Sequence, residues 1–251
     1  AMAQGFVETF WGEGIPDVAV SATDGSMVEM QMTDALGHYT LPELPINEEF
    51  VFEAAKDTMP SNGLSTYALF IGQRFILGLE PIQIYSPYQV IAGDANCNNA
   101  FTTLDLFLIQ QLIIGAKDKF EHCPSWVFVS DSGNMPDDFD AYNVFPYYSR
   151  DTMMVMNDVT ANFIGVKVGD ILGQADPDLF QNGQEVDDRY NDELVLVANK
   201  KGARAGEEIE LTFRSDNFND IVSYQTALGF DANALEYLEV AGGNAQALSN
   251  V

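Results

Sequence analysis

The residues with the clearest chemistry in this 251-residue chain are oxygen-bearing side chains crowded into one short stretch. That stretch reads Asp94-Ala95-Asn96-Cys97-Asn98-Asn99-Ala100-Phe101-Thr102-Thr103-Leu104-Asp105. Counted from Asp94, side-chain oxygens fall at positions 1, 3, 5 and 12, a hydroxyl at 9, and a backbone carbonyl is free to serve at 7. Hard oxygen ligands at this spacing suit Ca²⁺, which takes roughly six to eight oxygens at about 2.3–2.6 Å from a loop that runs into a helix. The predicted ligands are Asp94, Asn96, Asn98, the Ala100 carbonyl and Asp105, with Thr102 bound directly or through water. Phe101, at position 8, is expected to point into the core. Two departures matter. Asn99 stands at position 6 where glycine is usual, although asparagine tolerates the left-handed conformation better than most residues. Position 12 is aspartate rather than glutamate. Two carboxylates and two amides predict moderate affinity. The competing reading is an Asn-rich turn that caps the next helix through Thr102 or Thr103.

A repeat supports the loop-then-helix reading. Shifting the chain by 37 residues lays NGLSTYALFIGQRFILG (62–78) over NAFTTLDLFLIQQLIIG (99–115). The two strings are identical at Asn62/Asn99, Thr66/Thr103, Leu69/Leu106, Phe70/Phe107, Gln73/Gln110, Ile76/Ile113 and Gly78/Gly115. Each copy predicts an N-cap (Ser65/Thr66 and Thr102/Thr103), about three helical turns and a glycine stop. Both helices are apolar around most of their circumference, so each is expected to be largely buried and to pack on the other. In the first copy, positions 1, 3, 5 and 12 become Asp57, Met59, Ser61 and Ala68. A thioether and a methyl group are poor calcium ligands. That copy is therefore expected to bind no calcium or only weakly, and to be held by Leu69, Phe70, Phe75 and Ile76.

Other chemistry is sparse. Cys97 and Cys123 are too far apart, and too short of histidine partners, for a zinc site. They read either as buried thiols or as a disulfide. His38 and His122 have no nucleophile or metal partner in sight. The carboxylate pairs Asp137/Asp138 and Asp187/Asp188 arise by chance in a chain with 38 acidic residues. Catalysis is not expected. The stretch 131–151 gathers Phe139, Tyr142, Phe145, Tyr147 and Tyr148 beside carboxylates, which suits either sugar stacking or a small aromatic core.

The formal charge of −27 repels nucleic acid and anionic membranes, so neither is expected as a partner. A hydrophobic fraction of 47% shows that the acidity does not mean disorder. No run reaches the roughly 18 apolar residues of a spanning helix, so no membrane insertion is expected. The opening AMAQGFVETFWG lacks the pattern of a signal peptide, and both ends read as the interior of a longer chain.

The elements around the loop predict a mixed, multidomain chain. Residues 1–56 alternate in short strands broken at Gly12-Glu13-Gly14, Asp24-Gly25 and Asp34–Gly37. Gly5-Phe6-Val7, Gly14-Ile15-Pro16 with Val18 and Val20, and Thr33-Asp34 with Gly37, Tyr39, Leu41, Leu44 and Pro45 resemble the carboxypeptidase regulatory-like β-sandwich. Residues 57–175 hold the repeat pair, which resembles a dockerin, with a β-containing extension that includes SWVFVS (125–130) and FIGVKVGD (163–170). Residues 176–251 open on the end of a polar bridge that reaches about Asp192 and alternate again from Glu193. Gly206-Glu207-Glu208-Ile209-Glu210-Leu211 and Ala227–Leu235 are similar to the opening strands of a cohesin-like β-sandwich, present here only in part.

The longer string over 5–175 resembles a module of secreted Bacteroidetes proteins, carried by Asn62-Gly63-Leu64-Ser65-Thr66, Gly93-Asp94, Asn96, Thr103, Asp105-Leu106, Ser125–Val129 and Phe163–Asp170. The resemblance implies type IX secretion, display at the cell surface, and a structural or adhesive role stiffened by Ca²⁺. Its implied partners are other copies or other domains of the same large protein, or surface glycans and proteins. The alternative is a glycan- or protein-binding module attached to a secreted enzyme.

Overall fold

Alternation of apolar and polar residues puts one face of each early strand indoors, and two sheets form from it. The computed structural model describes residues 1–79, 84–132, 135, 139–142, 149–178, 196–199, 202–215, 231, 234–236 and 238. Within these the chain is mostly β-sheet with three short helices. The strands are β1 (Ala3–Thr9), β2 (Ala19–Thr23), β3 (Val28–Met32), β4 (His38–Leu41), β5 (Glu48–Ala55), β6 (Trp126–Ser130), β7 (Arg150–Val155), β8 (Val159–Thr160), β9 (Phe163–Lys167), β10 (Val197–Ala198) and β11 (Phe213–Arg214). The helices α1 (Thr66–Ile76), α2 (Pro87–Gly93) and α3 (Thr103–Ile113) all fall between β5 and β6.

One sheet runs β4-β1-β9-β6, with β8 also beside β1; the other runs β3-β2-β5-β7. β1 pairs parallel with β9 (Val7 opposite Phe163), and β5 pairs antiparallel with β7 (Val51 opposite Thr152). Both sheets therefore draw strands from either side of residue 56, where a boundary was expected. The reason is hydrogen-bonding capacity. Five short strands split over two sheets leave open edges on β1 and β5, and open edges demand partners. The segment 126–167 supplies them. Strand β7 sits in a stretch that shows no clear strand pattern in sequence.

The two sheets share a core that includes Val7, Val20, Phe50, Phe52, Trp126, Phe128 and Phe163. A second core lies among the helices and includes Ala68, Ile71, Val90, Phe101, Ile109 and Leu112. Strands β6 and β9 belong to both. Trp126, Phe128 and Phe163 join the first core, while the alternate residues Val127, Val129, Val166 and Val168 join the second. This two-sided burial explains why SWVFVS reads as a continuous apolar run, as strands covered on both faces do.

The repeat reappears in the geometry at its full offset of 37. Helix α1 has Ser65 as N-cap, Leu77 as C-cap and Gly78 at φ 62°; α3 has Thr102, Ile114 and Gly115 at φ 71°. The glycine stops bond alike: Gly78 N donates to Phe75 O and Leu79 N to Arg74 O, as Gly115 N does to Leu112 O and Ala116 N to Gln111 O. The helices touch each other, as predicted, with Gly72 against Leu106 and Phe101. They are less buried than predicted. Phe70, Leu104 and Phe107 are all exposed, because one face of each helix meets the core and nothing among the described residues covers the rest.

Residues Val197–Ala198 and Phe213–Arg214 pair as a small antiparallel ladder. Most of the expected cohesin-like stretch lies outside the described residues, as do Phe145, Tyr147, Tyr148, Asp137, Asp138, Asp187 and Asp188. Phe139 packs on the helical core and Tyr142 is exposed.

Candidate metal centre

Helix α2 delivers the chain to the loop. Ser86 caps it, accepting from Tyr88 N at 3.3 Å, and Pro87 takes the first helical position, where its missing N–H costs nothing. This Ser-Pro pair was the available signal for α2, but seven residues are too few to show helical periodicity. Asp94 ends the helix at φ −77°, ψ 83°. Gly93 before it is forced: a Cβ there would stand 2.6 Å from the ring of Phe101. Phe101 is fully buried and stacks on Phe75 with centroids 6.2 Å apart, so position 8 anchors the loop as expected.

The loop then folds on its own side chains. Asp94 Oδ1 accepts from Asn98 N at 3.1 Å and Oδ2 from Asn99 N at 2.8 Å. Asn96 Oδ1 accepts from Asn98 N at 3.0 Å, and Asn98 Oδ1 accepts from Ala100 N at 3.0 Å. These side-chain oxygens acting on amides a few residues ahead curl the backbone into successive turns. Asn99 adopts the left-handed conformation at φ 63°, as its place at position 6 requires, and Cys97 does so at φ 56°. Asp105 closes the circuit. Its Oδ1 accepts from Asn96 N at 3.2 Å, and its Oδ2 accepts from Thr102 N and Thr102 Oγ1, both at 2.8 Å.

Positions 1 and 12 are thus both buried and tied to the same loop: Asp94 is 3% exposed and Asp105 is 0% exposed. Burial pushes the Asp94 carboxyl above the ordinary carboxylate value, Asp105 pushes it the same way, and the amides of Asn99, Asn98 and Asn96 pull it down. Two carboxylates buried in one loop repel each other when both are charged, a cost that a bound cation would offset. The donor set fits a hard cation. Each carboxylate keeps lone pairs beyond the bonds named, and the amide oxygens of Asn96 and Asn98 each keep one. Calcium there would be held by Asp94, Asn96, Asn98, the Ala100 carbonyl and Asp105, with Thr102 alongside. No group of three or more His, Cys, Asp or Glu residues forms a metal cluster among the described residues. This loop offers two carboxylates, and the rest of its oxygens come from amides, a carbonyl and a hydroxyl.

Cys97, inside the loop, is joined by a disulfide to Cys123, with Cα atoms 5.3 Å apart. Of the two readings the cysteines allowed, the structure has the bridge.

The first copy is built otherwise. Asp57 Oδ1 accepts from Ser125 N and Ser125 Oγ, both at 2.8 Å. Those two bonds lead the causes that hold its carboxyl below the ordinary value. Asn62 exchanges hydrogen bonds with the backbone of Asp176, at 2.8 and 3.2 Å. The left-handed residues are Met59 and Gly63, not Asn62, so the turn does not retrace the second loop. Leu69, Phe75 and Ile76 pack on the helical core as expected, but they do not act alone. Phe70 is 46% exposed, and the hydrogen bonds to Ser125 and Asp176 do what its ring does not. Ser125, together with Lys167, whose Nζ donates to Pro60 O at 2.9 Å, ties this half down, and nothing in their local sequence marks either as more than an ordinary strand residue.

The histidines stand as surface groups. His38 is exposed, with Nδ1 3.8 Å from Asp34 and its ring edge-on to Phe6, and His122 is exposed. No helix among the described residues is long and apolar enough to cross a membrane. Compared with family models, curated proteins and solved structures, the chain gives no match in any of the three.

Proposed function

We propose that this chain is a structural and adhesive segment of a large secreted, cell-surface protein. In this reading a dockerin-like pair of helical repeats, stiffened by Ca²⁺ in the loop 94–105, mediates assembly or adhesion through other copies or domains of the same protein. The observation that carries it is the loop itself, in which Asp94 and Asp105 are buried together while Asn99 takes the left-handed turn at position 6. A bridge at Cys97–Cys123 supports an oxidising, extracellular setting, since disulfides persist there and are rare in reducing compartments. The two sheets supply a rigid stalk on which the helical pair rides, because β6 and β9 serve both cores.

Calcium titration calorimetry tests this on the wild type and on Asp94→Ala combined with Asp105→Ala. One site per chain, lost in the double variant, is the expected result, together with calcium-dependent self-association. No heat of binding in the wild type would end the calcium reading. Two equal sites would mean that the first copy binds calcium as well as the second.

A further inference from the structure

The side chain of Lys167, at the end of β9, is buried at 4% exposure. Its Nζ donates to Pro60 O at 2.9 Å and to Val168 O at 3.2 Å. Pro60 is position 4 of the first repeat's loop, and Asp57, position 1 of that loop, is one of the two acids whose charge acts on Lys167. The other is Asp170, itself 3% exposed. Asp170 in turn accepts from Gln174 N at 2.9 Å and Ala175 N at 2.7 Å. The strip it organises meets the same loop, since Asp176 bonds Asn62 and Ala175 lies against Gly63. Positions 1, 4, 6 and 7 of the degenerate loop are therefore all engaged by the protein itself.

We infer that the Lys167 ammonium is the resident cation of the first copy: it ties the loop to β9 through the Pro60 carbonyl and supplies the positive charge that a metal would bring to the second. The physical case is one of mutual need. A buried ammonium is expensive to strip of water and persists only with acids and carbonyls around it. Burial lowers Lys167 to about 7, while Asp170 and then Asp57 raise it. Asp170, pushed up mainly by its own burial, is pulled back first by the amides of Gln174 and Ala175, and then by Lys167 and the amide of Gly173. Lys119 also acts on Asp57, which bonds Ser125. Met59 and Ala68 explain why an outside metal would find too few oxygens here, and a tethered cation needs fewer. The first copy then needs no metal, whether or not the second binds one.

Thermal unfolding at pH 6, in EDTA and in calcium, tests this on the wild type, Lys167→Met, Asp170→Asn and the double variant. Methionine keeps the stem's bulk and removes the charge. Lys167→Met is expected to lower Tm by about 5 °C or more, equally in EDTA and calcium. Adding Asp170→Asn should return part of that loss, because no acid is then left buried without its cation. A Lys167→Met variant as stable as the wild type, additive losses in the double variant, or a deficit that calcium erases would each overturn the inference. If Lys167→Met does not fold, the double variant must fold better than it does; equal failure of both would also overturn the inference.

Discussion

Helices α1 and α3 have the same length, the same cap positions and the same glycine stop, yet the loops in front of them are held by different means. The second loop folds inward on its own oxygens, with Asp94 and Asp105 accepting hydrogen bonds from the loop's own amides. The first folds outward onto the rest of the protein, through Ser125, Lys167 and Asp176. The contrast shows that a repeat can keep its helix while its loop changes partner. Helix caps and stops depend on neighbours within a few residues, whereas a loop's oxygens bond whatever tertiary structure brings near.

The largest expected effect separates the loops by their tether. Replacing Cys97 and Cys123 together with serine removes a bridge across a separation of 26 residues, worth about 3.5 kcal/mol on chain-entropy grounds. Denaturant melts should show that loss, and calorimetry should show weaker calcium binding, because Cys97 sits between two proposed ligands. Unchanged calcium affinity would mean the loop holds its shape without the bridge. Calcium itself comes next. At a hundredfold excess over Kd it should stabilise the wild type by about 2.7 kcal/mol and leave Asp94→Ala with Asp105→Ala unmoved. A shift that survives in that variant would place the site elsewhere.

A smaller effect probes the first copy. Asp57→Ala should cost about 1 kcal/mol through the two bonds lost at Ser125, with no change in calcium binding. The sign of the pH dependence follows from a folded carboxyl held below its unfolded value of 3.8. Its contribution is complete above that value and is lost as pH falls through the lower folded one. Acid titration of Asp57→Asn should lack that limb. The smallest effect has opposite signs in the two loops. Asn99→Gly relieves a left-handed side chain and should gain on the order of 0.5 kcal/mol. Asn62→Gly forfeits the bonds to Asp176 and should destabilise. Matching signs, read by thermal melts, would mean the loops are more alike than their bonds indicate.

Much of the candidate site was legible because its logic is local. The caps, the glycine stops, the left-handed Asn99 and the inward Phe101 all follow from side chains within about a dozen residues of one another, and the 37-residue register follows from matching two such stretches. The strands at SWVFVS and FIGVKVGD were legible too, from composition. Their role was not, since a run of apolar residues tells that a strand is covered on both faces without telling by what.

The β-rich character, the paired helices and the oxygen pattern at 94–105 were already set in the amino-acid order, because periodicity and spacing are properties of neighbouring residues. Folding in three dimensions was needed to pair β1 with β9 and β5 with β7 across more than ninety residues, which open sheet edges require but no local pattern encodes. It was needed as well for Cys97 to meet Cys123 and for a lysine at the end of a strand to reach Pro60. Those contacts depend on where the fold brings distant chain together. They are the ones that make two like sequences behave as unlike loops.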